Sequence, residues 1–169
     1  MINLITAILL ILFAAFSRIL PHPANFTPIA AIALFSGTYL NKKYLFIVPI
    51  AAMFISDLII GLHSTMIWVY GSFILIGLIG LWLKSHKKAG YIVGATLLSS
   101  IIFFVITNFG VWLTGYYGFT LNGLAECYTM AIPFFRYTLA GDVFYVASMF
   151  GIHELILKYS KTGEVVKIK

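Results

Sequence analysis

Long apolar runs, broken by short polar stretches whose lysines occur only in every second stretch, restrict this chain to a bundle of membrane-crossing helices. The runs cover about 3–19, 28–41, 44–62, 66–83, 90–114 and 137–157. Lys42 and Lys43 fall in the second break and Lys84, Lys87 and Lys88 in the fourth. Lys158, Lys161, Lys167 and Lys169 follow the last run, and the first, third and fifth breaks carry no lysine. Cytoplasmic loops are enriched in basic residues. The pattern therefore predicts an all-α, six-helix integral membrane bundle, one domain over 1–169, multi-pass in the cell (inner) membrane with both termini cytoplasmic. Arg18 and Arg136 then lie on the outer side, where the orientation rule does not place them and another role must.

A content of 62% hydrophobic and 9% charged residues excludes an ordinary soluble domain. The net charge of +6 is spread over three cytoplasmic edges instead of one face. It is read as headgroup contact with the lipid bilayer and not as a nucleic-acid surface. A single cysteine, Cys127, rules out an intramolecular disulfide and a cysteine metal cluster. The first run has no basic segment before it, so residues 3–19 are expected to stay as a span.

A helix needs about 20 apolar residues to cross a bilayer. The run 28–41 is short for that and requires cover from its neighbours. Between it and the first run, Pro21, Pro23 and Pro28 prevent a helix. This segment is expected to fold over or into the bundle from the outer side. Pro49 lies early in the third run. Residues 115–136, rich in Gly and Tyr, read as a long loop of the kind that serves as a lid.

With orientation assigned, the polar residues gather at the outer level. Asp57, Asn108 and Asp142 lie in the outer thirds of the third, fifth and sixth runs, with Thr107 and Trp112 near Asn108. Thr138, Asp142, Tyr145 and Met149 share a helical face by their spacing. Arg18, His22, Asn25, His63, Glu126, Cys127 and Arg136 come from the adjoining ends and loops. Ionisable groups within spans face a cavity or a partner, so the convergence suits a ligand pocket between helices.

Each residue also has a plain structural reading. Arg18 can pair with Asp57, and Arg136 with Asp142, simply tying helix ends together. Asp142, early in its helix, suits the macrodipole; Asp57, near a helix C-terminus, opposes it and needs a cation or ligand. Asn108 can bond a backbone carbonyl. His22 and His63 can be interface residues instead of metal ligands, and Cys127 an inert thiol. Trp68, Tyr70, Trp112, Tyr116, Tyr117, Tyr128 and Tyr137 form a default interfacial belt. No metal or other cofactor is predicted.

The run Pro49-Ile50-Ala51-Ala52-Met53-Phe54-Ile55-Ser56-Asp57-Leu58-Ile59-Ile60-Gly61, six short helices, the proline-broken segment and the fifth stretch together resemble the substrate-binding S components of energy-coupling factor (ECF) vitamin transporters. Ser17 to Pro28 and Ile132 to Asp142 are similar to a bacterial membrane family related to those components. The resemblance implies capture of a vitamin or related micronutrient outside the cell. It also implies ATP-driven import by a transmembrane coupling protein carrying two ATPases. Members of that family often dock through Ala-x-x-x-Ala in the first helix. Here Ala7, Ala14 and Ala15 lack that spacing, and the nearest small pair is Ala33 and Gly37. A chain that works alone or with a dedicated partner is equally compatible with this departure.

The sequence thus predicts a binding component and no enzyme, with Asp57, Asn108, Asp142, Arg136, Arg18, His22, Asn25 and Trp112 as ligand-binding residues. A membrane-embedded enzyme acting on a lipid or isoprenoid is the alternative. Neither a His-Glu-x-x-His zinc motif nor a Gly-x-Ser-x-Gly elbow occurs in support of it. Substrate identity and oligomeric state stay open at this level.

Overall fold

The computed structural model describes residues 2–167, with side chains described over 4–160. Every described element is a helix: α1 (Ile2–Ile19), α2 (Ile29–Tyr39), α3 (Tyr44–Ile60), α4 (Met66–Leu83), α5 (Ala89–Trp112) and α6 (Leu121–Lys167). α4, α5 and α6 are each long and apolar enough to cross a membrane. The helices alternate in direction, which gathers the connections into two sets. At one end, Lys87 Nζ lies 4.8 Å from the Tyr39 ring centre and Tyr39 Oη donates to Glu154 Oε1 at 2.9 Å. We call this the lysine end. The opposite, proline end joins α1 to α2, α3 to α4 and α5 to α6.

α2 is the axis of the bundle. An eleven-residue helix that is apolar all round must be covered all round, and Ile29 to Thr38 are all buried. It touches each of the other five helices. Its closest neighbour is α4, where Gly37, Gly77 and Gly80 let two backbones approach: a Cβ on Gly80 would collide with the Leu34 carbonyl, and one on Gly37 with the Gly77 carbonyl. Small residues are the usual means of close helix packing in membranes. Thr38 Oγ1 closes the contact by donating to Leu34 O at 2.7 Å and Gly80 O at 3.0 Å. Ala33 and Gly37, the small pair noted above, are therefore used inside the bundle. Around this axis the packing is small within and large without: Ala7, Ala14 and Ala15 of α1 are buried while Leu9, Leu12, Phe13 and Phe16 face outward.

α6 departs from the expected boundaries. The stretch 115–136 is no lid loop: the helix begins at Leu121 and runs through Pro133. Thr120 Oγ1 accepts from Gly123 N–H at 3.0 Å, capping the first turn. Leu124, Cys127, Ala131 and Phe135 then recur at three- and four-residue spacing, the pattern of one helical face. The true turn is short and uses Gly115 and Gly118, whose φ values of 81° and 73° suit glycine above other residues. A helix of 47 residues extends about 70 Å at 1.5 Å per residue, more than twice a hydrocarbon core of about 30 Å. Part of α6 therefore lies outside any single crossing.

The proline segment behaves as its composition requires. Phe26 N–H donates to Pro23 O at 3.0 Å, Thr27 N–H to Asn25 O at 3.0 Å, and Pro28 is buried. Phe26 lies against Phe144 and Tyr145 of α6 and against Gly141, folding the segment over the end of the bundle.

Candidate functional site

Two buried carboxylates organise the proline end. The first, Asp57, is 1% exposed and sits near the last turn of α3, where helix carbonyls disfavour a negative charge. Three neighbours compensate. Arg18, at the end of the parallel helix α1, places Nη1 2.7 Å from Oδ1. Tyr70 Oη of α4 donates to Oδ2 at 2.7 Å, and His63 Nε2 is 3.8 Å from the same oxygen. Arg18 Nη1 also donates to Ser56 Oγ at 2.5 Å and Met53 O at 3.3 Å. The result is a junction tying α1, α3 and α4, with Asp57 behind the guanidinium and away from open space.

The second, Asp142 of α6, is 3% exposed. Ser100 Oγ of α5 donates to its Oδ2 at 2.6 Å. No cation among the described residues faces it. Arg136, its partner in the plain structural reading, is instead exposed, donates to Tyr137 Oη at 3.0 Å and lies 4.7 Å from that ring's centre. Since α6 is helical through both positions, the six-residue separation turns their side chains about 120° apart and about 9 Å along the axis.

Between these carboxylates the bundle is open. A cleft of about 340 Å³ is lined by Arg18, His22, Asn25, Thr27 and His63 over an apolar floor that includes Met53, Phe73 and Phe103. A second, of about 220 Å³, runs along Thr107, Asn108, Thr138 and the α6 residues Ala131, Phe134 and Phe135. A small chamber of about 30 Å³, bounded by Asn25, Thr27, Thr138, Asp142, Phe73 and Phe103, shares walls with both. Asn25 lines all three and holds φ = 63°, a left-handed conformation that Asn tolerates better than most residues.

The structure thus brings Arg18, His22, Asn25, Asn108 and Asp142 to the walls of adjoining openings, and sets Asp57 one layer behind. Asn108 also donates from Nδ2 to Phe104 O at 2.7 Å, so its amide oxygen is the end left for a ligand. Two expected residues stand apart. Arg136 lies outside, and Trp112 Nε1 donates to Gly118 O at 2.9 Å, pinning the turn before α6. Cys127 is buried with Sγ 3.4 Å from Asn108 O, and no group of three metal-ligating side chains occurs among the described residues.

Sequence reasoning misses Tyr70, Ser56 and Ser100. By sequence Tyr70 belongs to the interfacial belt, yet it and Asp57 lie at matching distances on either side of the α3–α4 turn, and antiparallel neighbours at matching distances share a level. That symmetry is the available signal. The serines have none, because a buried serine usually bonds its own helix, as Ser72 does with Trp68 O at 2.7 Å.

No curated protein and no solved structure matches the chain. A family model described as a family of unknown function, DUF6580, matches residues 1–164, and the chain belongs to that family.

Proposed function

We propose that this protein is a membrane-embedded substrate-binding component, multi-pass in the inner membrane with both termini cytoplasmic, that captures a vitamin or related micronutrient on the outer side. Import would be driven by an ECF-type coupling protein with two ATPases. One observation carries the reading: the adjoining clefts that hold Arg18, His22, Asn25, Asn108 and Asp142 gather on the side of the bundle opposite the lysines. The positive-inside rule turns that end outward, and a mostly apolar cleft with a few convergent polar groups is the usual form of a small-molecule site. The resemblance of α3 and the proline segment to S components points the same way.

The test is thermal unfolding of the detergent-purified protein against a panel of vitamins and their precursors. A ligand that binds only the folded state raises apparent stability by mass action. One compound is expected to give a saturable rise that weakens in His22→Ala, whose side chain lies exposed at the opening. A flat response across the panel, with nothing copurifying by mass spectrometry, sinks the reading.

A further inference from the structure

The small chamber at Asp142 bears on the class of cargo, in an inference that rests on the binding reading and deepens it. A buried charge is costly unless paired. Asp142 has one hydrogen bond, from Ser100 to Oδ2, and among the described residues no bond or ion pair reaches Oδ1. Both cations of this end are committed elsewhere, Arg18 to Asp57 and Arg136 to the Tyr137 ring. Counted as ionised, Arg18, Asp57 and Asp142 carry one more negative charge than positive, and Asp142 is the member without a cation beside it.

The chamber's other walls decide what would balance it. Thr138, Thr27 and Asn25 offer oxygen acceptors. Phe73 and Phe103, with ring centres 5.1 Å apart, supply the aromatic part of the lining. A bare metal ion of the hard class seeks six or more oxygens and gains little from those rings. An organic ammonium uses both, donating to the oxygens while its methylenes and charge rest on the rings. The volume of about 30 Å³ accommodates one or two water-sized groups, and the adjoining clefts accommodate the remainder of a larger molecule.

We infer that the chamber bounded by Asp142, Thr138, Asn25, Thr27, Phe73 and Phe103 is an ammonium site, and that the cargo is a small molecule bearing a protonated amine which docks on Asp142. The rest of the cargo lies in the clefts along Asn108 and His22. Asp57 and Arg18 take no part in balancing its charge.

The probe is methylammonium chloride, small enough to enter the chamber alone, titrated into purified protein against equal concentrations of sodium chloride while thermal unfolding is followed. Wild type is expected to show a saturable rise of a few degrees beyond sodium's. In Asp142→Asn the apparent affinity for methylammonium falls at least about tenfold. Thr138→Val is expected to weaken binding while keeping the fold, and carries the test should Asp142→Asn fail to fold. A methylammonium shift no larger than sodium's overturns the inference, and so does one retained in full by Asp142→Asn or unchanged in Thr138→Val. The result separates from the vitamin panel. A methylammonium site in a protein that no vitamin stabilises keeps the chamber and removes the uptake reading. A neutral cargo with no methylammonium effect removes the chamber alone.

Discussion

Asp57 and Asp142 are buried to the same degree at the same end of the bundle, yet one is enclosed by an arginine, a tyrosine and a histidine while the other has a single serine. The difference divides the proline end into a finished half and an unfinished one. Around Asp57, an ion pair from α1 and a hydrogen bond from α4 cover the carboxylate, and only Arg18 of this junction reaches the cleft. Around Asp142, α5 and α6 supply one hydrogen bond and an opening. Proteins tolerate incompletely compensated polar groups mainly where function uses them, and on the proposed binding reading the unfinished half is the one that meets the cargo. The Asp57 junction acts at one remove, holding Arg18 and the first residues of the proline segment in place so that Asn25 and Thr27 reach across toward α5 and α6.

The largest effect expected from this contrast is in Asp57→Ala. Removing one member of a buried pair leaves an uncompensated charge and costs about 3–5 kcal/mol. Arg18, 16% exposed at the edge of the cleft, recovers only part of that through water. A steep drop in the unfolding midpoint is expected, largely restored in the double variant Arg18→Met/Asp57→Leu, since apolar replacement of a buried pair is often neutral or better. An Asp57→Ala protein as stable as wild type would erase the distinction between the halves. This variant mixes folding with binding, so loss of ligand in it would not by itself place Asp57 in the site.

Next in size is Tyr70→Phe, which keeps the ring and deletes the 2.7 Å donor to Asp57. Loss of a hydrogen bond to a charged acceptor predicts about 1–2 kcal/mol of destabilisation. Ligand binding should survive, because Tyr70 lines none of the three openings. Unfolding curves and panel titrations on the same preparation check both halves of the statement.

What the sequence reveals and what it hides follow the same geometry. Arg18 with Asp57 is legible because each closes an apolar run at the same end, so pairing needs no knowledge of side-chain direction. Arg136 with Asp142 is plausible only while residue 136 belongs to a loop, where any direction is open; once it is helical, the six-residue offset forbids the contact. The difference traces to Thr120. A threonine ahead of apolar residues at three- and four-residue spacing is a helix start, but the Gly and Tyr content of the nearby turn and Pro133 further on obscure it. The shortness of α2 is readable as a demand for cover. Its place at the centre of the bundle is not, since that depends on backbone approach between Gly37, Gly77 and Gly80 of separate helices.

Ser100→Ala probes the unfinished half and should cost less than Tyr70→Phe. It removes Asp142's one hydrogen bond, yet Asp142 borders a chamber in which water can take the serine's place. A loss under about 1 kcal/mol is expected, with cargo or methylammonium affinity weakened because the carboxylate is no longer held in position. If Ser100→Ala proved as damaging as Asp57→Ala, Asp142 would belong to a structural junction after all.

The smallest change in stability and the cleanest separation of folding from binding should come from Asn25→Gly. At φ = 63° glycine adopts the backbone without strain. That relief is set against the extra freedom glycine gives the unfolded chain, worth about 0.4–1 kcal/mol, so the net shift should be within about 0.5 kcal/mol. The side chain removed is exposed, lines all three openings and makes no hydrogen bond through its amide to the described residues. Its cost should therefore appear only with ligand: an unchanged midpoint in the free protein and a reduced shift with bound cargo. Asn25→Ala supplies the control for conformation, because it deletes the same amide but leaves a Cβ in the left-handed region. A glycine variant that binds normally beside an alanine variant that binds poorly would mean Asn25 serves the turn and not the ligand, and recognition would then rest on Asp142, Thr138 and Asn108.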